Sequence, residues 1–177
     1  RTITEVLLNR LVQKTDRYSL TQEDIQLISS ASALHDIGKV SIPDEIINKP
    51  GKLTKEEFEI MKTQTVIGAT MLKHLTAYQN EAIVKIACQI CRWHHERYDG
   101  SGYPNHLVGK EIDDMAAIVA IADVYDAMTS DRCYRRALCP FEVIASFELE
   151  GLNRYNPQFI LCFLEHIANT YVNNNVL

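Results

Sequence analysis

Apolar residues recur at helical spacing along almost the whole chain, and no stretch alternates apolar with polar residues as a half-buried strand would. That pattern restricts the chain to packed helices. "TEVLLNRLVQ" reads as a first helix, broken by "DRYSL". Thr21 followed by Asp24 makes a capping box, opening a helix predicted to run through "IQLISSASALHD". The prolines and glycine of "SIPDEIINKPGKL" bound a short helical turn. Thr54 and Glu57 make a second capping box, for a long helix through "KEEFEIMKTQTVIGATMLKHL". Another helix is predicted over about 81–95, followed by the loop "YDGSGYPNHLVGKEI". Asp113 or Asp114 caps "MAAIVAIADVYDAMTSD", and Pro140 and Pro157 suit the first turns of two C-terminal helices. The expected fold is all-α, one helical domain over 1–177.

With 177 residues the chain is long enough to bury its own core. A net charge of −5 gives no electrostatic case for a nucleic-acid duplex or an anionic membrane, although a small anion needs only a local basic pocket. No stretch nears the roughly 20 apolar residues that span a bilayer, so direct membrane insertion is not expected. Cys88, Cys91, Cys133, Cys139 and Cys162 are irregularly spaced and odd in number. They read as free thiols in a reducing compartment, which predicts a cytoplasmic protein. Cys88 and Cys91 form a C-x-x-C inside an apolar run with no second pair to complete a zinc site, so they read as core. The chain opens on Arg1 without a signal peptide, and is read as a piece of a longer, multidomain polypeptide.

A few polar residues stand out against the apolar pattern. Asp123 lies within "AAIVAIADVYDAM", apolar around most of the helix. An unpaired carboxylate there is costly or protonates, so it wants a metal, a buried arginine or a neighbouring helix to cap. His94 continues the stripe of Ile83, Ile86 or Ala87, and Ile90, which aims it at the core. His95 is turned about 100° around the helix from it. Two adjacent histidines reach one ion only if the helix ends there and other ligands approach from the side. The onset of "YDG" allows that. His35 and Asp36, in "SALHDIGKV", stand at a predicted helix terminus. His74, His106 and His166 read as surface or helix-end residues.

The segments "LHDIGKV", "KPGKLTKEEFEIMK", "HHERYDGSGYP" and "AIVAIADVYDAMTSDR" occur together in this order. So arranged, the chain resembles the HD-GYP family, the cyclic-di-GMP phosphodiesterase branch of the HD metallohydrolases, with the core of the likeness over about 20–148. The resemblance implies a metal site between the helices of an HD-type domain. It implies that His35, Asp36 and Asp123 are metal ligands, with Asp36 bridging two metals and acting in catalysis. His94 and His95 become ligands of the second metal, and Lys39 a catalytic group near the scissile phosphate. Arg132 and Arg135 are expected to contact the phosphates of the dinucleotide. Gly102, Tyr103 and Pro104 form the loop that shapes the site or engages GGDEF-domain partners; a homodimer is also compatible. Phosphodiester hydrolysis needs a nucleophilic hydroxide, charge neutralisation and in-line geometry. Two metals about 3.5–4 Å apart, bridged by a carboxylate and a water, supply all three. Iron or manganese suits this ligand set best, with zinc or nickel as alternatives. The implied product is the linear pGpG, GMP, or both.

Two positions depart from the family pattern. Gln64 stands where the family has a histidine, and a glutamine oxygen is a neutral, weaker ligand. The family also usually has a histidine or glutamate ligand on the helix before His35-Asp36. Segment 1–20 holds no histidine, and Glu5 is at no obvious match. A degenerate domain holding one metal or none, which binds a nucleotide or a partner without efficient catalysis, is therefore the alternative expectation.

Overall fold

Both capping boxes close in the computed structural model, which describes residues 2–131, 136–150 and 152–174. The helices are α1 (Thr2–Lys14), α2 (Gln22–Ser32), α3 (Asp44–Ile47), α4 (Lys55–Lys73), α5 (Ala82–Trp93), α6 (Asp114–Thr129), α7 (Pro140–Glu150) and α8 (Pro157–Asn174). Among the described residues there is no strand beyond a single bridge between Asp99 and Val108. Thr21 caps α2 and Thr54 caps α4, each exchanging bonds with the acid three residues on. Asp113, rather than Asp114, caps α6 by accepting from the N–H groups of Met115 and Ala116. Pro140 and Pro157 open α7 and α8, as expected of residues whose missing N–H would be unsatisfied there anyway.

One boundary differs from the periodicity. The pattern carries α2 through Asp36, but the helix stops at Ser32 and the chain turns into a 3-10 segment at Ile37–Ser41. The cause is a backbone contact. A Cβ on Gly38 would meet the Gln64 carbonyl oxygen at 1.9 Å, so only glycine lets this segment lie against α4. α5 likewise ends at Trp93, slightly short of the predicted 95, with His94 as its C-cap.

Two apolar clusters build the interior. The larger joins Leu7, Leu8 and Leu11 of α1 to Ile25 of α2, Phe147 of α7, and Phe159 and Phe163 of α8. The smaller packs Ala31 of α2 and Leu72 of α4 against Ala87 and Ile90 of α5. α6 gives Ile118 and Ile121 to the first and Val119 to the second, which is why it is apolar almost all round. Each such fully buried side chain contributes about 1.5–3 kcal/mol. The seam between the clusters is where Asp123 emerges.

Cys91 is buried in the smaller cluster, and burial pushes its thiol up to about 12. Cys88, Cys91, Cys139 and Cys162 are free, in line with the apolar reading of the C-x-x-C; Cys133 lies outside the described residues. His74 is an exposed C-cap of α4, His106 is exposed, and half-buried His166 accepts a hydrogen bond from Arg10 Nε at 3.1 Å. No helix among the described residues is long and apolar enough to cross a membrane.

Candidate metal centre

Three chain segments converge on the seam. The turn after α2 delivers His35 and Asp36, α6 delivers Asp123, and the end of α5 delivers His94 and His95. His35 Nε2 lies 3.2 Å from Asp36 Oδ2 and 3.5 Å from Asp123 Oδ1, and His94 Nε2 lies 3.8 Å from Asp36 Oδ1. The ring centroids of His94 and His95 are 4.0 Å apart. The adjacent histidines share one cluster because α5 ends at Trp93, just before them, as the loop onset allows.

Backbone carbonyls fix the tautomers. His35 Nδ1 faces the Ser32 carbonyl at 2.8 Å, and His94 Nδ1 faces those of Ile90 at 3.0 Å and Cys91 at 3.1 Å. A carbonyl only accepts, so each Nδ1 carries a proton; the Nε2 lone pair of buried His94 turns inward, while His35 Nε2 points between the Asp36 and Asp123 carboxylates. His35 Nε2, His94 Nε2 and Asp36 Oδ1 are buried without a hydrogen-bond partner. His94 Nε2 and Asp36 Oδ1 are acceptors that face one another, and a cation satisfies them together and can take the place of the proton that His35 holds between the two carboxylates. Two overlapping sets of ligand atoms, His35/His94/Asp123 and Asp36/His94/His95, each lie within 4.8 Å of one another. Mixed imidazole and carboxylate donors fit a divalent first-row metal.

The electrostatics differ across the cluster. Burial opposes charge on His35, but Asp123 and Asp36 outweigh it and push the imidazole up to about 10. Burial also works against the Asp36 carboxylate, yet His35 and Lys39 hold it well below the usual range. Asp123 is lowered in the same way, with His35 overcoming burial. His94 is instead brought down to about 4 by burial and by His35, and His95 is pulled well below its ordinary value by burial and by His94. Lys39 Nζ donates to Asp36 Oδ2 at 2.5 Å.

Both departures from the ligand pattern border this cluster. Gln64 is only 1% exposed, neither of its amide atoms has a hydrogen-bond partner, and it lies beside Tyr103. On the opposite side, α1 brings Ile3 and Thr4 to a cavity of about 120 Å³ that they share with His35, Asp123 and Asp126. Thr4, buried, is the polar residue that α1 gives to this cavity. Glu5 is not among the described residues that line this cavity.

The loop after α5 is held by a residue that sequence reasoning passed over. Glu96 is buried, and its carboxylate accepts from the N–H of Asn105 at 2.6 Å and of Leu107 at 3.0 Å. The available signal was a carboxylate between two histidines and a glycine-rich loop, which reads as a solvated charge unless the loop folds back on it. Gly102 is buried against that same corner: a Cβ there would meet Arg97 N at 2.2 Å and Glu96 Cα at 2.4 Å. Tyr103, joined to Pro104 by a cis peptide, stacks on His95 with centroids 4.8 Å apart and meets Phe58 edge-on at 5.9 Å. The structure thus brings together His35, Asp36, Lys39, His94, His95, Asp123, Gln64 and Tyr103. Arg132 and Arg135 lie outside the described residues.

Comparison with known proteins agrees with this geometry. The model of the HD domain family matches residues 4–159. A cyclic di-GMP phosphodiesterase response regulator of Xanthomonas campestris is 45% identical over 122 residues, 69% of this chain and 31% of that protein. A 3'3'-cGAMP-specific phosphodiesterase of Vibrio cholerae is 36% identical over 149 residues, 84% of this chain and 28% of that protein. The chain therefore spans less than a third of the length of either relative. Among solved structures, an HD-GYP-type protein of Bdellovibrio bacteriovorus shares the fold with a TM-score of 0.67 at 20% identity, over 94% of this chain and 51% of that one. The chain belongs to the HD domain family, in the HD-GYP branch that its motifs resemble.

Proposed function

We propose that this chain is a metal-dependent phosphodiesterase that opens cyclic di-GMP to the linear dinucleotide and, with a second cut, to GMP. The observation that carries the proposal is that His94 Nε2 and Asp36 Oδ1, both buried, face one another at 3.8 Å with no protein donor to meet them, beside His35 and Asp123. The cyclic-dinucleotide phosphodiesterases among its relatives support the substrate class. His35, Asp36 and Asp123 would hold one metal, and Asp36, His94 and His95 the other, Asp36 serving both. Iron or manganese fits these donors first, with zinc or nickel as alternatives. Bound there, the metals supply Lewis acidity at a phosphoryl oxygen and make an attacking water more acidic.

The chain's own residues do the rest. Lys39, whose ammonium donates to Asp36 Oδ2, would turn to a phosphate oxygen if Asp36 held a metal. Arg132 and Arg135 hold phosphates, and the loop bearing Gly102, Tyr103 and Pro104 covers the His95 side and offers a surface to a GGDEF-domain partner. The free thiols support a cytoplasmic location. The two metal positions differ in strength. The His35 side has two carboxylates, whereas the His95 side adds only the neutral amide of Gln64.

That amide, together with Thr4 on the other side, favours a second reading. In it the domain keeps one metal, binds the nucleotide and regulates a partner without efficient turnover. Elemental analysis and turnover assays on purified protein separate the two. The enzyme yields linear dinucleotide with manganese or iron and none after chelation. One metal per chain and tight nucleotide binding without product, under iron, manganese, zinc and nickel alike, overturns the enzyme in favour of the binding module.

A further inference from the structure

Beside the metal centre runs a groove of about 260 Å³. His95 stands in its wall as well as in the metal cluster, so the groove borders the metal centre on that side. A whole small-molecule ligand usually fills roughly 300–1,000 Å³, so this groove suits part of a larger one. A cyclic dinucleotide is a ring with two phosphodiesters on opposite sides. When one faces the metals, the other points away and needs cations of its own.

We propose that the groove formed by Phe58, Lys62, Arg97, Tyr103, His106 and Arg154 seats the half of the cyclic dinucleotide that does not react, with its second phosphodiester on Arg97 and Arg154 and a purine against Phe58. This rests on the phosphodiesterase function proposed above. Arg97 has no carboxylate within ion-pair distance among the described residues, and its guanidinium lies 5.5 Å over the Tyr155 ring, which orients it. The carboxylate nearest in influence to Arg154 is Asp99, already engaged by the N–H and hydroxyl of Ser101 at 3.0 and 2.6 Å. Lys62 pairs with Glu59 at 2.7 Å while its ammonium sits 5.5 Å from the centre of the Phe58 ring. Paired arginines are the side chains best suited to a phosphodiester. Phe58 is 44% exposed at the edge of this cationic groove, and an open aromatic face beside cations is what a nucleobase stacks on. Arg154 comes from the turn before α8, beyond the core of the family likeness. It is tied to the loop by its backbone, the Tyr98 N–H donating to its carbonyl at 2.9 Å, so truncating the side chain leaves that tie in place.

The test compares cyclic di-GMP with bis(p-nitrophenyl) phosphate, a phosphodiester that lacks a second nucleotide half. Arg154→Ala lowers the ratio of kcat/KM for cyclic di-GMP to that for bis(p-nitrophenyl) phosphate by about tenfold to a hundredfold, mainly through KM. Arg154→Lys recovers part of the loss. Affinity for a non-hydrolysable phosphorothioate analogue of cyclic di-GMP, measured by calorimetry, falls by the same factor. An unchanged ratio and an unchanged affinity in Arg154→Ala and Phe58→Ala overturn the groove assignment. Absence of turnover in the unmodified protein counts against the phosphodiesterase alone. The analogue then decides: binding weakened by Arg154→Ala supports the groove, and no binding to the unmodified protein overturns it.

Discussion

The two flanks of the metal cluster share Asp36 yet have opposite characters. Toward α1, two carboxylates surround one imidazole, and His35 rises to about 10. Toward α4 and the loop, two buried imidazoles crowd one another beside a neutral amide, and His94 falls to about 4. The first flank is built to hold a positive charge, whether a proton or a metal. The second is dry and nearly neutral, and draws on Asp123 and Asp36 for its negative charge. The difference teaches that the two departures from the family pattern are not equivalent. On the His35 side a missing ligand leaves charge that is already sufficient, whereas Gln64 stands where it is scarce.

Removing the shared group breaks the comparison most severely. Asp36→Asn is expected to empty both flanks, with a loss of metal affinity beyond the roughly 10–100-fold that supporting partners cost. Elemental analysis would show it directly, and retention of one metal would mean that the flanks are independent. Gln64→His sharpens the comparison instead. It should strengthen the second metal by at least about tenfold, and titration should show stoichiometry moving toward two. An equal gain at the first site would remove the asymmetry.

Acidity provides a third handle, in protein stripped by a chelator. His35 has a raised folded-state pKa, so its contribution to stability is complete below its ordinary value of 6.5 and is lost as pH rises through about 10. Melting temperature should therefore fall across that window in the stripped protein. The fall should be absent in His35→Gln and much reduced with metal bound; an equally steep fall in His35→Gln would assign it elsewhere. The smallest effect concerns the loop that roofs the neutral flank. Glu96→Gln loses a charge-assisted clamp on two N–H groups and should cost about 1.5–3 kcal/mol. Chemical denaturation measures it, and the affinity of the His35 flank should stay as it was.

Much of this was legible in the sequence, for identifiable reasons. Capping boxes and N-terminal prolines are local chemistry, and they formed at Thr21, Thr54, Pro140 and Pro157 as read. His94 could be aimed inward because the stripe through Ile90 fixes its direction. What escaped was set by contacts distant in the chain. α2 ends early because Gly38 meets α4, a contact that helical periodicity does not encode. Glu96 is buried where residues 105 and 107 return to it, and Arg154 stands in the groove with its carbonyl tied to Tyr98 N–H, far from it in the chain. The presence of Gln64 was plain from the sequence. That both its amide atoms lack partners was not.

The contact between Gly38 and the Gln64 carbonyl has a consequence for how this domain evolves. It holds the main chain at position 64 whatever side chain that position carries. Glutamine and histidine codons differ only in their third base. A single point mutation therefore exchanges an amide for an imidazole on a backbone already anchored in place, so lineages of this domain can gain or lose that ligand without rebuilding the fold around it.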